Sequence, residues 1–173
     1  MKDFMEDCLF YLLAVQLTAL TEGVPYEVAN LANASALLWQ ELPEINWAGF
    51  YKMTDGALVL GPFQGKPACI RIEVGKGVCG TAVAENATQL VYNVHDFPGH
   101  IACDCASNSE IVVPLYKNGA LFGVLEAVAL SQRVKKLTLC RNYIMRVGEE
   151  IRHSRKELPE ILRGVKSSVY IEN

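Results

Sequence analysis

The sequence of 173 residues has no apolar run long enough to cross a bilayer. Its longest early one, Cys8 to Leu20, falls short of the roughly 20 residues a spanning helix needs and contains Gln16. Acidic Asp3, Glu6 and Asp7 precede that run where an export signal would carry basic residues. Neither a secretion signal nor a membrane anchor is expected, and the expected compartment is the reducing cytoplasm. Positive charge is also scarce. Sixteen Lys and Arg face nineteen Asp and Glu, a net charge of -3, and no basic stripe is visible, so a nucleic-acid partner is not expected. Internal repeats and linkers are lacking as well.

What remains is the composition of one globular domain. Half of the residues are hydrophobic (51%) and a fifth are charged (20%). A chain of this length can bury roughly two thirds of its unfolded surface without staples. Its six cysteines are therefore not needed for stability. In a reducing compartment they read as free thiols with metal, redox or packing roles.

Periodicity organises the chain. Phe4, Cys8, Tyr11, Leu12 and Val15 mark the apolar stripe of a first helix. A second helix is expected from about Pro25 to Pro43, with Val28, Leu31, Ala32, Ser35 and Leu38 on its buried side. Residues Asn46 to Met53 and Ala57 to Pro62 flank Thr54-Asp55-Gly56 and read as a β-hairpin. Ile70 to Val74 reads as a short strand, Val78 to Glu85 as a short helix, and Gln89 to Tyr92 as another strand. After a polar loop from Asn93 to Ser109, a second hairpin pairs Glu110 to Tyr116 with Ala120 to Ala129, expected at the centre of the sheet. Leu137, Cys140, Ile144, Val147 and Ile151 mark a third helix. The mixed-charge end, 153–173, reads as a mobile tail beyond one domain at 1–152. The class is α+β, a central antiparallel sheet covered by N- and C-terminal helices. A seventeen-residue loop holding Phe97, Ile101, two cysteines and two histidines is expected to be functional.

Cys8 and Cys140 fall on apolar helix faces, whereas Cys69, Cys79, Cys103 and Cys105 lie in or beside loops between β elements. Gap-filling is the ordinary role of a single small cysteine, but four between positions 69 and 105 favour chemistry. Cys79 stands near the start of a short helix, where free N–H groups favour an anion and lower a thiol pKa. Asp104 would oppose a thiolate at Cys103. Cys69, His95, His100, Cys103 and Cys105 also offer zinc ligands, although the C-x2-C spacing of zinc knuckles is missing. Gly75-Lys76-Gly77-Val78-Cys79-Gly80 lacks the order of a phosphate loop and reads as a tight turn. Trp47 and Tyr51, four apart in a strand, point to one face.

Several long motifs occur in order: Asn46-Trp47-Ala48-Gly49-Phe50-Tyr51, Leu60-Gly61-Pro62-Phe63-Gln64-Gly65-Lys66-Pro67-Ala68-Cys69, Gly75 to Thr81, Val94 to Asp104, and Ser107 to Leu115. With Asn30 to Leu38 they span about half of the chain, and they resemble the free methionine-(R)-sulfoxide reductase family of GAF domains. The resemblance implies a GAF-type fold and a homodimer that reduces free methionine-(R)-sulfoxide. Cys103 would be the nucleophile, Cys69 its disulfide partner and Cys79 a third redox cysteine. Thioredoxin or a similar dithiol would restore the thiols, with neither metal nor organic cofactor. Glu110 matches a family carboxylate suited to facing the substrate ammonium or to donating a proton, the bland alternative being solvent exposure. Trp47 and Tyr51 would form the apolar and hydrogen-bonding wall around the thioether.

The sequence departs from the family after Leu125, where Glu126-Ala127-Val128 stands in place of Asp-x-Asp. Glu126 would keep one carboxylate on a longer side chain, and Val128 would remove a second from the same strand face, weakening the hold on an ammonium. Ser131-Gln132-Arg133-Val134-Lys135-Lys136 puts basic residues where the family tends to be acidic, and Cys105 replaces a small residue. These departures keep open a second function, a non-catalytic GAF domain that binds another small ligand or senses redox state.

Overall fold

A computed structural model describes residues 12–13, 15–42, 44–101, 104–117 and 119–130. Cys8, Cys103, Cys140, the third helix and the tail lie outside the described residues. So does most of the first helix.

Among the described residues six strands form one sheet: β1 (Ile45–Thr54), β2 (Ala57–Gly65), β3 (Arg71–Glu73), β4 (Gln89–Val91), β5 (Ser109–Lys117) and β6 (Ala120–Ala129). Their order is β3-β2-β1-β6-β5-β4 and every pairing is antiparallel. The two expected hairpins are present. The first turns at Asp55 and Gly56 with φ of 50° and 78°, the positive values a two-residue hairpin requires. β6 is central as expected, but its middle partner is β1. β5 lies one strand in from the edge, flanked by the three-residue β4.

β2 runs to Gly65, three residues beyond its expected end at Pro62. The register shifts opposite this proline, between Gly49 and Tyr51 of β1, so the ladder tolerates its missing N–H. The strand expected over Ile70 to Val74 shortens to β3 because Ile70 and Val74 face solvent.

Helix α1 (Glu27–Glu41) lies on one face of the sheet together with helical residues 15–21. Its buried side is Leu31, Ala34, Ser35, Leu37 and Leu38, while Val28 is exposed, correcting the expected stripe. Leu13 and Leu17 are buried in the preceding segment, and Leu12 and Val15 are exposed. Both corrections have one cause: these segments are apolar on more than one side, so spacing alone does not select the buried face. The Ser35 hydroxyl meets the Leu31 carbonyl at 2.9 Å and the Pro62 carbonyl of β2 at 3.1 Å, which fixes the helix over the sheet.

Alternation along the strands divides the interior in two. Ala48, Phe50, Ile111, Val113, Leu115, Leu125 and Ala127 pack beneath α1. Trp47, Tyr51, Val112, Val124 and Val128 point to the other face, which helix α2 (Gly77–Glu85) covers with Val78, Cys79 and Ala82. The loop between β4 and β5, described at residues 93–101 and 104–108, runs along this second face. It opens with a 3-10 turn at Val94–Asp96 whose Val94 is fully buried and donates its N–H to the Asn108 carbonyl at 2.9 Å.

Gly80 seats α2 on the end of β3. A Cβ there would stand 2.3 Å from the Glu73 carbonyl oxygen, and the Gly80 carbonyl accepts from the Gly75 N–H at 2.8 Å. Only backbone lies in the way, so a methyl group must displace the helix. Gly80→Ala is expected to cost about 2 kcal/mol and to lower the melting temperature by roughly 4–8 °C in a thermal unfolding experiment. An unchanged melting temperature would mean that this docking is not tight.

Candidate active site

The second face opens into a pocket between β1, β6, β5, α2 and the loop residues 66–68, 100–101, 104 and 107. Trp47 and Tyr51 form its aromatic wall. The Trp47 ring stacks on Tyr51 at 5.9 Å and on Phe63 at 5.4 Å between centroids. Gly49 leaves room for this stack, since a Cβ there would sit 2.3 Å from the Phe63 Cβ. Both residues of the expected wall line the pocket, and their polar atoms reach the loop after β2. Trp47 Nε1 donates to the Lys66 carbonyl (3.2 Å) and Tyr51 Oη to the Cys69 carbonyl (3.0 Å), so these polar atoms hold the loop after β2.

Strand register brings Glu110 and Glu126 together. Glu110 of β5 pairs with Val128 of β6, and Val112 pairs with Glu126, which makes the two glutamates diagonal neighbours on the pocket face. Glu110 is buried, not solvent-exposed, and Glu126 is half-buried; both line the pocket. Burial, reinforced by the charge and contact of Glu126, raises the Glu110 carboxyl well above the usual carboxylate range. Burial also raises Glu126 to about 7, against the opposing effect of hydrogen bonds from Cys79 and Glu110. Two carboxyls in contact out of water cannot both ionise, so near neutral pH the pair holds a shared proton.

Cys79 is 2% exposed and donates its thiol to Glu126 Oε2 at 3.1 Å. The thiol expected at the helix start thus stands in the first turn of α2 and meets a carboxyl acceptor. His100 Nε2 lies 3.7 Å from Glu110 Oε2. Burial, helped by His95, lowers the pKa of this imidazole, so it faces the pair as a neutral dipole. Val128 is buried in the pocket wall.

Ion pairing frames the mouth. Lys66 meets Asp104 at 2.9 Å, and Asp104 also accepts from the Ala106 N–H (3.0 Å) and from Asn46 Nδ2 (3.3 Å). The Lys66 contact, followed by the Ala106 N–H, holds the Asp104 carboxyl below its ordinary value. Asp104 is thus compensated. Asn46 Nδ2 donates to Ser107 Oγ at 3.0 Å as well, while its buried Oδ1 has no partner among the described residues.

Cys69 is half-buried, packs against the second core and is not part of the pocket lining; Cys105 and His95 are exposed. Among the described residues, the ligands proposed for zinc from sequence do not converge, whereas Cys79, Glu110 and Glu126 do. Sequence reasoning gave Asn46, Lys66 and Ser107 no role of their own and weighed His100 only as a zinc ligand. Polar residues inside Asn46-Trp47-Ala48-Gly49-Phe50-Tyr51 and Gly65-Lys66-Pro67 were the available signal.

A GAF domain family model matches residues 6–139. The chain is 61% identical over 108 residues to the free methionine-R-sulfoxide reductase of Escherichia coli, covering 62% of this chain and 66% of that one. It is 48% identical over 122 residues to the free methionine-R-sulfoxide reductase of Saccharomyces cerevisiae, covering 66% and 68%. The structure of fRMsr of Staphylococcus aureus in complex with substrate superposes with a TM-score of 0.73 at 43% identity, covering 82% of this chain and 95% of that one.

The carboxyl pair sets a sign for pH-dependent stability. Folding raises Glu126 from 4.5 to about 7, so the folded state binds more protons and stability falls as pH rises through that window. His100 acts oppositely below its ordinary 6.5, since its pKa is lowered. In chelator-treated, ligand-free protein the melting temperature should therefore fall from pH 6.5 to 8, and Glu126→Gln should flatten that fall. A melting temperature that rises over this range in the parent protein would contradict the shared proton.

Proposed function

The chain belongs to the GAF-domain family and, within it, to the free methionine-R-sulfoxide reductases, and from that premise we propose that it reduces free methionine-(R)-sulfoxide to methionine. The observation that carries this reading is the buried Glu110 carboxyl set against Glu126 in a pocket beside an aromatic wall. Sulfoxide reduction needs an acid that keeps its proton at neutral pH, and burial of Glu110 against Glu126 supplies one.

In this mechanism Cys103 is the nucleophile. Its thiolate attacks the sulfoxide sulfur while Glu110 protonates the sulfoxide oxygen, and that oxygen passes to the Cys103 sulfur as the substrate S–O bond and the transient S–S bond break. Methionine leaves and Cys103 becomes a sulfenic acid. Cys69 then attacks the sulfenic sulfur, releasing water and forming a disulfide, which thioredoxin or a similar dithiol reduces. Cys79 stays in reserve as a third redox thiol, its sulfur against Glu126. The thioether chain lies on Trp47 and Tyr51. Glu126 and the unpaired Asn46 Oδ1 accept hydrogen bonds from the ammonium that distinguishes the free amino acid from a protein methionine. The loop from Asn93 to Ser109 closes over the substrate and excludes water. The protein works as a cytoplasmic homodimer of one GAF domain, 1–152, with 153–173 as a tail.

Val128 favours a second reading, a non-catalytic domain that binds another small ligand or senses redox state. One assay separates them: NADPH oxidation coupled through thioredoxin. The reductase reading expects turnover of the free (R) epimer, none of the (S) epimer or a peptide-bound sulfoxide, and none with Cys103→Ser. Glu110→Gln should lower kcat by about 10². Val128→Asp should raise kcat/KM about tenfold, the value of one added buried ammonium contact. No turnover with reduced thiols would overturn the reductase reading in favour of the sensor.

A further inference from the structure

Cys79, Glu110 and Glu126 place one sulfur and two carboxyl oxygens within 4.8 Å of one another. Cys79 Sγ and Glu126 Oε2 are 3.1 Å apart. Ligand atoms around tetrahedral zinc stand about 3.5 Å apart, given metal–ligand distances of roughly 2.0–2.3 Å. The three donors need only small rotations to reach that spacing. They come from three elements, α2, β5 and β6, whose register and docking hold them there.

We propose that Cys79, Glu110 and Glu126 form an inhibitory site for a borderline-soft divalent cation, zinc in kind, with the fourth position open to the pocket. A thiolate beside two carboxylates selects zinc over magnesium and calcium, which take oxygen ligands and prefer six or more. Binding releases the thiol proton of Cys79 and the proton shared by the carboxyls, so one dication enters as two protons leave. The buried cluster keeps its net charge, which removes the main cost of placing a cation there. His100, 3.7 Å from Glu110, lies outside the donor set. Blocking of turnover rests on the reductase reading, since the bound ion would take the proton-donating carboxyl out of use. Binding itself does not.

The test uses the reduced, chelator-stripped full chain titrated with Co²⁺, whose thiolate complexes absorb in the near ultraviolet. One equivalent should give a thiolate-to-cobalt band that Zn²⁺ displaces. Cys79→Ser should abolish the band, Glu126→Gln should weaken binding at least tenfold, and Cys69→Ser, Cys103→Ser and Cys105→Ser should each keep it. Circular dichroism and melting temperature check that Cys79→Ser is folded. A band that survives Cys79→Ser, or that disappears with one of the other cysteines, overturns the site. Zn²⁺ should also inhibit the coupled reaction of the sulfoxide at the concentration that displaces cobalt. The band is read without turnover, so its absence sinks the metal site alone and failed turnover beside an intact band sinks the reductase reading alone.

Discussion

Two carboxyl groups that water would keep ionised and apart are held against each other inside this fold. Glu110 and Glu126 stand diagonally across β5 and β6. A slip of one residue in that register would send one of them to the helix-covered face among Ile111, Val113 and Leu115. The apolar residues on the opposite face therefore fix the polar arrangement on this one. Burying Ala127 and Leu125 beneath α1 obliges Glu126 and Val128 to face the pocket, and burying Ile111 does the same for Glu110.

The groups around the pair follow from that forced proximity. Two ionised carboxylates would repel, so the site keeps a proton between them, a thiol pointing at Glu126 and an uncharged imidazole beside Glu110. Each leaves a carboxyl with hydrogen available for transfer. Gly80 lets α2 approach closely enough for Cys79 to reach β6. The Lys66–Asp104 ion pair closes a different circuit at the mouth, where charges remain near solvent and compensate each other.

Much of this was legible in the sequence where signals were local. β6 matches its expected span because alternation and a glycine turn bound it, and α2 differs by one residue. Faces were harder. Leu12, Val15 and Val28 sit in segments apolar on several sides, and only packing against the sheet chooses Leu13, Leu17, Ala34 and Leu37 instead. The resemblance brought Glu110, Glu126, Trp47 and Tyr51 to one site. The partners of Cys79, Trp47 and Tyr51 stayed hidden, because each depends on residues 18 to 47 positions away in the chain. The Asn46 contacts reach further still, across 58 and 61 positions.

The central claim concerns a proton, and infrared spectroscopy sees it directly. A protonated buried carboxyl absorbs at higher frequency than a carboxylate, and the difference between the parent protein and Glu110→Gln at neutral pH isolates its band. The account predicts one protonated-carboxyl band at pH 7 that is lost in the variant and bleaches as pH rises above 7. A spectrum showing only carboxylate at pH 7, in reduced protein stripped of metal, would contradict it.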